Sequence, residues 1–204
     1  MNEQVYRRLR SLLVNHGYPA GSVLDPDELA KRLRADGPSV LDALARLGSE
    51  GLVVHVPGEG SRVRSFQPDD VRRLIETRTV TETAVGRLAV ERGTDAELRE
   101  LGAMLRAAEG LLAQGGEVPR NGAFHRTIAR LARDPELERD LALVCDQLRL
   151  ALPPATRQVA RSREAWREHR AILRALTARD AAAVEEAMAA HIRSIERTIL
   201  ASLE

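Results

Sequence analysis

Strand signals are confined to one place in this chain, and that confinement decides most of the expected architecture. Within 52–66, the short β-branched runs LVVHV and SRVRSF flank the turn-forming tetrad Pro57-Gly58-Glu59-Gly60, which is a hairpin pattern. Three helix candidates precede it. Residues 2–16 place Val5, Leu9, Leu12 and Leu13 at helical spacing and end at Gly17. Residues 26–34 open with Asp25 as N-cap and Pro26 at the first helical position. Residues 37–49 carry Val40, Leu41, Leu44 and Leu47 on one stripe and stop before Gly51. Three helices followed by a hairpin is the order of a winged helix-turn-helix.

From Pro68 onward the pattern reads as helix throughout, over about 68–92, 94–114, 118–132, 135–152, 162–179 and 181–203. The breaks fall at Gly93, Gly115-Gly116, Asp134-Pro135, Pro153-Pro154 and Arg179-Asp180, so each helix has a chemical reason to end. The expected fold is mainly α, with a winged helix-turn-helix over 1–66 and an all-α bundle over 67–204. Gln67-Pro68 is the natural linker, and Asp69 and Asp70 suit the first turn of the helix that follows. Composition agrees: 44% of the 204 residues are hydrophobic and only 2% aromatic, so the core is built from Ala, Leu and Val.

The 31 basic and 30 acidic residues leave a formal charge of +1, which excludes a strong global field for a polyanion. Any such site must come from local clustering. A single cysteine, Cys145, excludes an internal disulfide and a Cys-rich zinc site and is read as a small buried hydrophobe. The start, MNEQVYRRLR, lacks the apolar core of a signal peptide, and no run is long enough to span a bilayer, so the expected compartment is the cytoplasm.

Basic residues in the first domain cluster as Arg7, Arg8 and Arg10, then Lys31, Arg32 and Arg34, then Arg62 and Arg64. Phosphate contact and solvated helix faces are both open readings of these clusters. Here the chain resembles a known family. PAGSVLDPDELAKRL, the segment from Ala35 to Leu47, and GSEGLVVHVPGEGSRV are similar to the N-terminal domain of GntR-family bacterial transcription regulators. The helical remainder resembles the FCD ligand domain of the FadR subfamily. The family pattern at the recognition helix is Ser-Arg-Thr-Pro-Val-Arg-Glu-Ala-Leu, and this chain has Asp36-Gly37-Pro38-Ser39-Val40-Leu41-Asp42-Ala43-Leu44. Val40, Ala43 and Leu44 match, whereas Gly37 and Leu41 replace both arginines, and arginine forks to guanine are the commonest base-specific contact. The resemblance implies a homodimer bound to an operator in double-stranded DNA. Ser39, Arg46, Arg62, Arg64 and Arg34 are the expected DNA-contacting residues, with altered specificity or reduced affinity.

In the helix over 118–132, Asn121 and His125 are four apart and share a face with Phe124, Ile128 and Leu131. His169 falls in the stripe of Trp166, Ile172 and Leu176, and His191 in that of Val184, Met188 and Ile195. Three imidazoles thus interrupt three apolar faces. Separately satisfied core histidines and one shared metal are both open, since each buried ring needs a partner. The resemblance points to the metal: FCD domains of that type hold a divalent cation with an Asp-x-x-x-His pair and two later histidines. His125, His169 and His191 match, and Asn121 stands at the aspartate position with a neutral amide. Zn²⁺ or Ni²⁺ suits a His₃ set that leaves open positions.

In similar domains a small organic acid occupies those positions, helped by an arginine of the first bundle helix. Arg78 lies at that place with Glu82 one turn on, and an ordinary surface ion pair between the two is the competing reading. The expected function is a transcription regulator controlled by a carboxylate effector. Two other readings stay open: a regulator-derived ligand- or metal-binding dimer with weakened DNA binding, and a His₃ metal hydrolase. Against the hydrolase, no carboxylate at helical spacing offers a general base, and Glu168 is expected to point away from the face of His169.

Overall fold

The computed structural model describes residues 2–115, 122–151 and 159–200. Its elements run α1 (Glu3–Val14), β1 (Val23–Leu24), α2 (Pro26–Leu33), α3 (Gly37–Ser49), β2 (Val53–Val56), β3 (Gly60–Val63), α4 (Pro68–Arg92), α5 (Asp95–Ala113), α6 (Gly122–Leu131), α7 (Pro135–Ala151), α8 (Val159–Thr177) and α9 (Ala181–Leu200). The hairpin forms as its turn chemistry dictates, with Gly58 and Gly60 both at positive φ. Val53 pairs with Val63 and Val56 with Gly60. The short strand β1, which lacks any alternating pattern of its own, adds to the other edge of β3 in the order β1-β3-β2. Two residues carry too little periodicity to announce a strand; Val23 and Leu24 become one by pairing with Arg62 and Ser61.

Local chemistry fixes the helix starts. Asp25 accepts from the backbone of Asp27 and Glu28 ahead of Pro26, and Asp36 accepts from Ser39 N at 2.8 Å. Thr94 and Glu97 form a reciprocal capping box on α5. Asp134 and Asp180 cap α7 and α9. Asp70 accepts from Gln67 N at 3.0 Å, which seats the first turn of α4 at the expected linker.

The chain divides into two units, one of residues 1–71 with 146–154 and one of 72–145 with 155–204. The first therefore takes in the end of α7 as well as the segment expected from sequence. Its core gathers Leu9, Leu13, Leu29, Val40, Leu44, Leu47 and Val63, and Leu150 of α7 is part of it. Asp146 meets Arg10 at 2.5 Å, Gln147 donates to Glu50 O at 2.7 Å and Arg149 to Asn15 at 3.0 Å.

Every described element of the second unit is a helix, and these pack around Val85, Leu101, Phe124, Ile128, Ile172, Leu176 and Val184. Gly86 lets α4 and α9 approach closely, because a Cβ there would lie 2.6 Å from Met188 Sδ and 2.7 Å from Val184 Cγ1. Asn121 and the expected break at Pro153-Pro154 lie outside the described residues.

Candidate functional site

The apolar stripes that fold the second unit also carry three imidazoles into its core. Phe124, His125, Ile128 and Leu131 form the buried face of α6; Trp166, His169, Ile172 and Leu176 that of α8; Val184, Met188, His191 and Ile192 that of α9. All three histidines are buried, and their Nε2 atoms converge. His125 Nε2 lies 3.0 Å from His191 Nε2 and 3.2 Å from His169 Nε2. Aromatic rings hold His169 in place, with Phe124 stacked at 4.1 Å between centroids and Trp166 edge-on at 5.0 Å.

Carboxylates address the outer nitrogens of two of these rings. Glu168 Oε2 sits 2.6 Å from His191 Nδ1, and Glu82 Oε2 lies 2.7 Å from His125 Nδ1, close but off the line of an ideal ring N–H. The 2.6 Å contact of Glu168 favours the proton on His191 Nδ1 and so leaves the His191 Nε2 lone pair facing inward. His125 Nε2 lies 3.0 Å from it, a spacing that a cation bound by both nitrogens fits. Two nitrogens of one tetrahedral ion bonded at about 2.0–2.1 Å stand about 3.3 Å apart, near the distances seen. The donor set thus fits a divalent metal of the zinc or nickel type.

Arg78 and Glu82 form a deeply buried pair, Nε to Oε1 2.6 Å, and not a surface pair. Burial alone would raise the Glu82 carboxyl, but Arg78 and His125 outweigh it and hold the group well below the usual carboxylate range. Burial pushes the His191 imidazole down to about 4, with the Glu168 contact only partly offsetting it. His191 is therefore neutral, as a metal ligand must be. Glu168, expected from its place beside His169 to point elsewhere, instead reaches into the site through His191. Its adjacency to one histidine gave no sign of this, because the partner belongs to another helix.

At the winged domain the expected DNA-contacting residues lie in different surroundings. Arg34 is exposed at the C-cap of α2. Arg46 turns toward α1, bonding Glu3 at 2.9 Å and Glu50 at 3.0 Å, with its guanidinium 3.5 Å over the Tyr6 ring. Tyr6 donates to both oxygens of Glu50, and burial followed by that carboxylate pushes its hydroxyl up to about 12. Arg62 bonds Glu59 at 2.7 Å and the Gly21 carbonyl at 3.1 Å. Arg64 lies 3.8 Å from Asp70 and over the Phe66 ring. The Ser39 hydroxyl donates to Asp36 at 2.9 Å, and the Ser39 hydrogen bonds lower the Asp36 carboxyl.

Residues 1–63 match the model of the bacterial regulatory proteins of the gntR family, and residues 73–194 match the FCD domain. The chain is 29% identical to the HTH-type transcriptional regulator LutR of Bacillus subtilis (strain 168), over 91% of this chain and 94% of that protein. It is 27% identical to the HTH-type transcriptional repressor RspR of Escherichia coli (strain K12), over 98% and 89%. Among solved structures, E. coli McbR/YncC shares the fold with a TM-score of 0.78 at 23% identity, over 97% and 95% of the two chains. A GntR regulator from Rhodococcus sp. RHA1 gives 0.74 at 20%, over 99% and 98%. These relatives are transcription regulators and not enzymes, which removes the hydrolase reading. The chain belongs to the GntR family of bacterial transcription regulators, in the branch that carries an FCD ligand-binding domain.

Proposed function

We propose that this regulator binds operator DNA as a homodimer in the cytoplasm and is controlled by a small organic acid at a divalent metal centre. The observation that carries this reading is the convergence of three buried Nε2 atoms with the outer nitrogens of two rings on carboxylates. His125, His169 and His191 are the ligands, and Asn121 is the fourth by its place in the sequence. A Zn²⁺ or Ni²⁺ ion held there supplies a Lewis acid for a carboxylate. Glu82 and Glu168 orient the imidazoles and strengthen them as donors. Arg78 gives Nε to Glu82, and its terminal N–H groups are assigned to the effector's carboxylate.

The effector alters operator affinity to the extent that it binds the DNA-competent and DNA-incompetent states differently. Titration of metal-loaded protein with a panel of carboxylic acids tests this. Heat of binding and a raised melting temperature for at least one acid are expected, and silence for all of them defeats the effector reading.

A regulator with weakened DNA binding is the second reading. It is favoured by the recognition helix, whose exposed residues Pro38, Leu41, Asp42, Ala45, Gly48 and Ser49 include no basic side chain. Salt-sensitive binding to duplex DNA separates the two.

A further inference from the structure

The second helix of a helix-turn-helix lays its N-terminal half against base edges in the major groove. In this chain that helix is α3, and what it offers to the bases is unusual. Leu41 is 56% exposed, a large apolar side chain facing outward between Pro38 and Ala45. No side chain of that face is left as a hydrogen-bond donor. Gly37, Pro38, Leu41 and Ala45 have none to give, and Asp42 is an acceptor. The hydroxyls of Ser39 and Ser49 already donate, to Asp36 at 2.9 Å and to the Arg46 carbonyl at 2.8 Å. Arg46 itself is held on the α1 side by Glu3, Glu50 and Tyr6. Packing does not impose the gap at the start of the helix, since a Cβ at Gly37 would meet nothing within 4 Å.

Guanine presents two acceptors in the major groove, O6 and N7, and thymine presents an apolar C5-methyl. A face without donors leaves the guanine acceptors dry and unpaired, which opposes that base. The same face covers a methyl group favourably. We propose that Leu41 is the specificity-determining residue of α3 and selects thymine through its C5-methyl, with guanine rejected at that step. This rests on the operator-binding reading above and names the base that it reads.

The test uses the full-length protein and duplexes enriched from a randomised library. Thymines of the enriched half-site are replaced one at a time by deoxyuridine, which removes only the methyl, and affinity is followed by fluorescence anisotropy. At the Leu41 step the wild type loses about fourfold in affinity, the factor that one buried methyl-sized group supplies. The exposed variant Leu41→Ala binds thymine and uracil equally at that step, and Leu41→Arg shifts the preference toward guanine. Equal binding of thymine and uracil by the wild type at every position, or a preference that survives Leu41→Ala, overturns the inference and leaves operator binding intact. A library from which nothing is enriched overturns operator binding and the inference together.

Discussion

Glu82 sits in the middle of α4 with Arg78 on one oxygen and the His125 ring beside the other, and only 1% of its surface is exposed. Removing one member of such a buried pair strands the other charge. Glu82→Gln should therefore lower stability by about 3–5 kcal/mol, while joint replacement of Arg78 and Glu82 by Met and Leu should cost clearly less than the sum of the single changes. Urea melts of the four proteins measure this. His191 makes a further prediction. Its folded value of about 4 lies below the ordinary 6.5, so the unfolded chain binds more protons between those values and the metal-free fold loses stability as pH falls through that window. The slope approaches about 1.4 kcal/mol per pH unit from this group, and should vanish in His191→Phe. The histidines were legible as polar interruptions of apolar stripes. Glu168 was not, because nothing in a linear pattern says which helix a half-exposed carboxylate will meet, and the burial of Arg78 with Glu82 was equally hidden by their ordinary i, i+4 spacing.

At the scale of elements, the helix boundaries at Asp25-Pro26, Gly93 and Asp134-Pro135 were readable from caps and breakers. What escaped depends on long-range packing. Strand β1 exists through β3, and the last turns of α7 join the core of the winged domain through Leu150, only 3% exposed. No local signal separates that leucine from those facing the bundle. Leu150→Ala should destabilise the winged domain by about 2–5 kcal/mol, and a fragment of residues 1–66 should melt well below that domain in the full chain. Tryptophan-independent probes such as amide exchange in α1 and α3 report it, and unchanged protection would refute the packing role.

For the whole molecule, the near-zero charge conceals an uneven surface. Lys31, Arg32 and Arg34 are exposed together, whereas Arg46 and Arg62 are tied to carboxylates. Arg34→Ala should weaken operator binding uniformly across sequences and reduce the salt slope by about one, whereas Arg46→Ala should act mainly on stability. Salt titrations of both variants distinguish the roles. The central claim is that the FCD half is organised around a metal held by His125, His169 and His191. Calorimetric titration of the full-length, chelator-treated protein with Zn²⁺ and Ni²⁺, beside His125→Ala, tests it most directly. The account predicts one ion per chain and a higher melting temperature for the wild type, both lost in a variant that keeps its helical circular dichroism; absence of stoichiometric binding by the wild type, or binding undiminished in the variant, would contradict it.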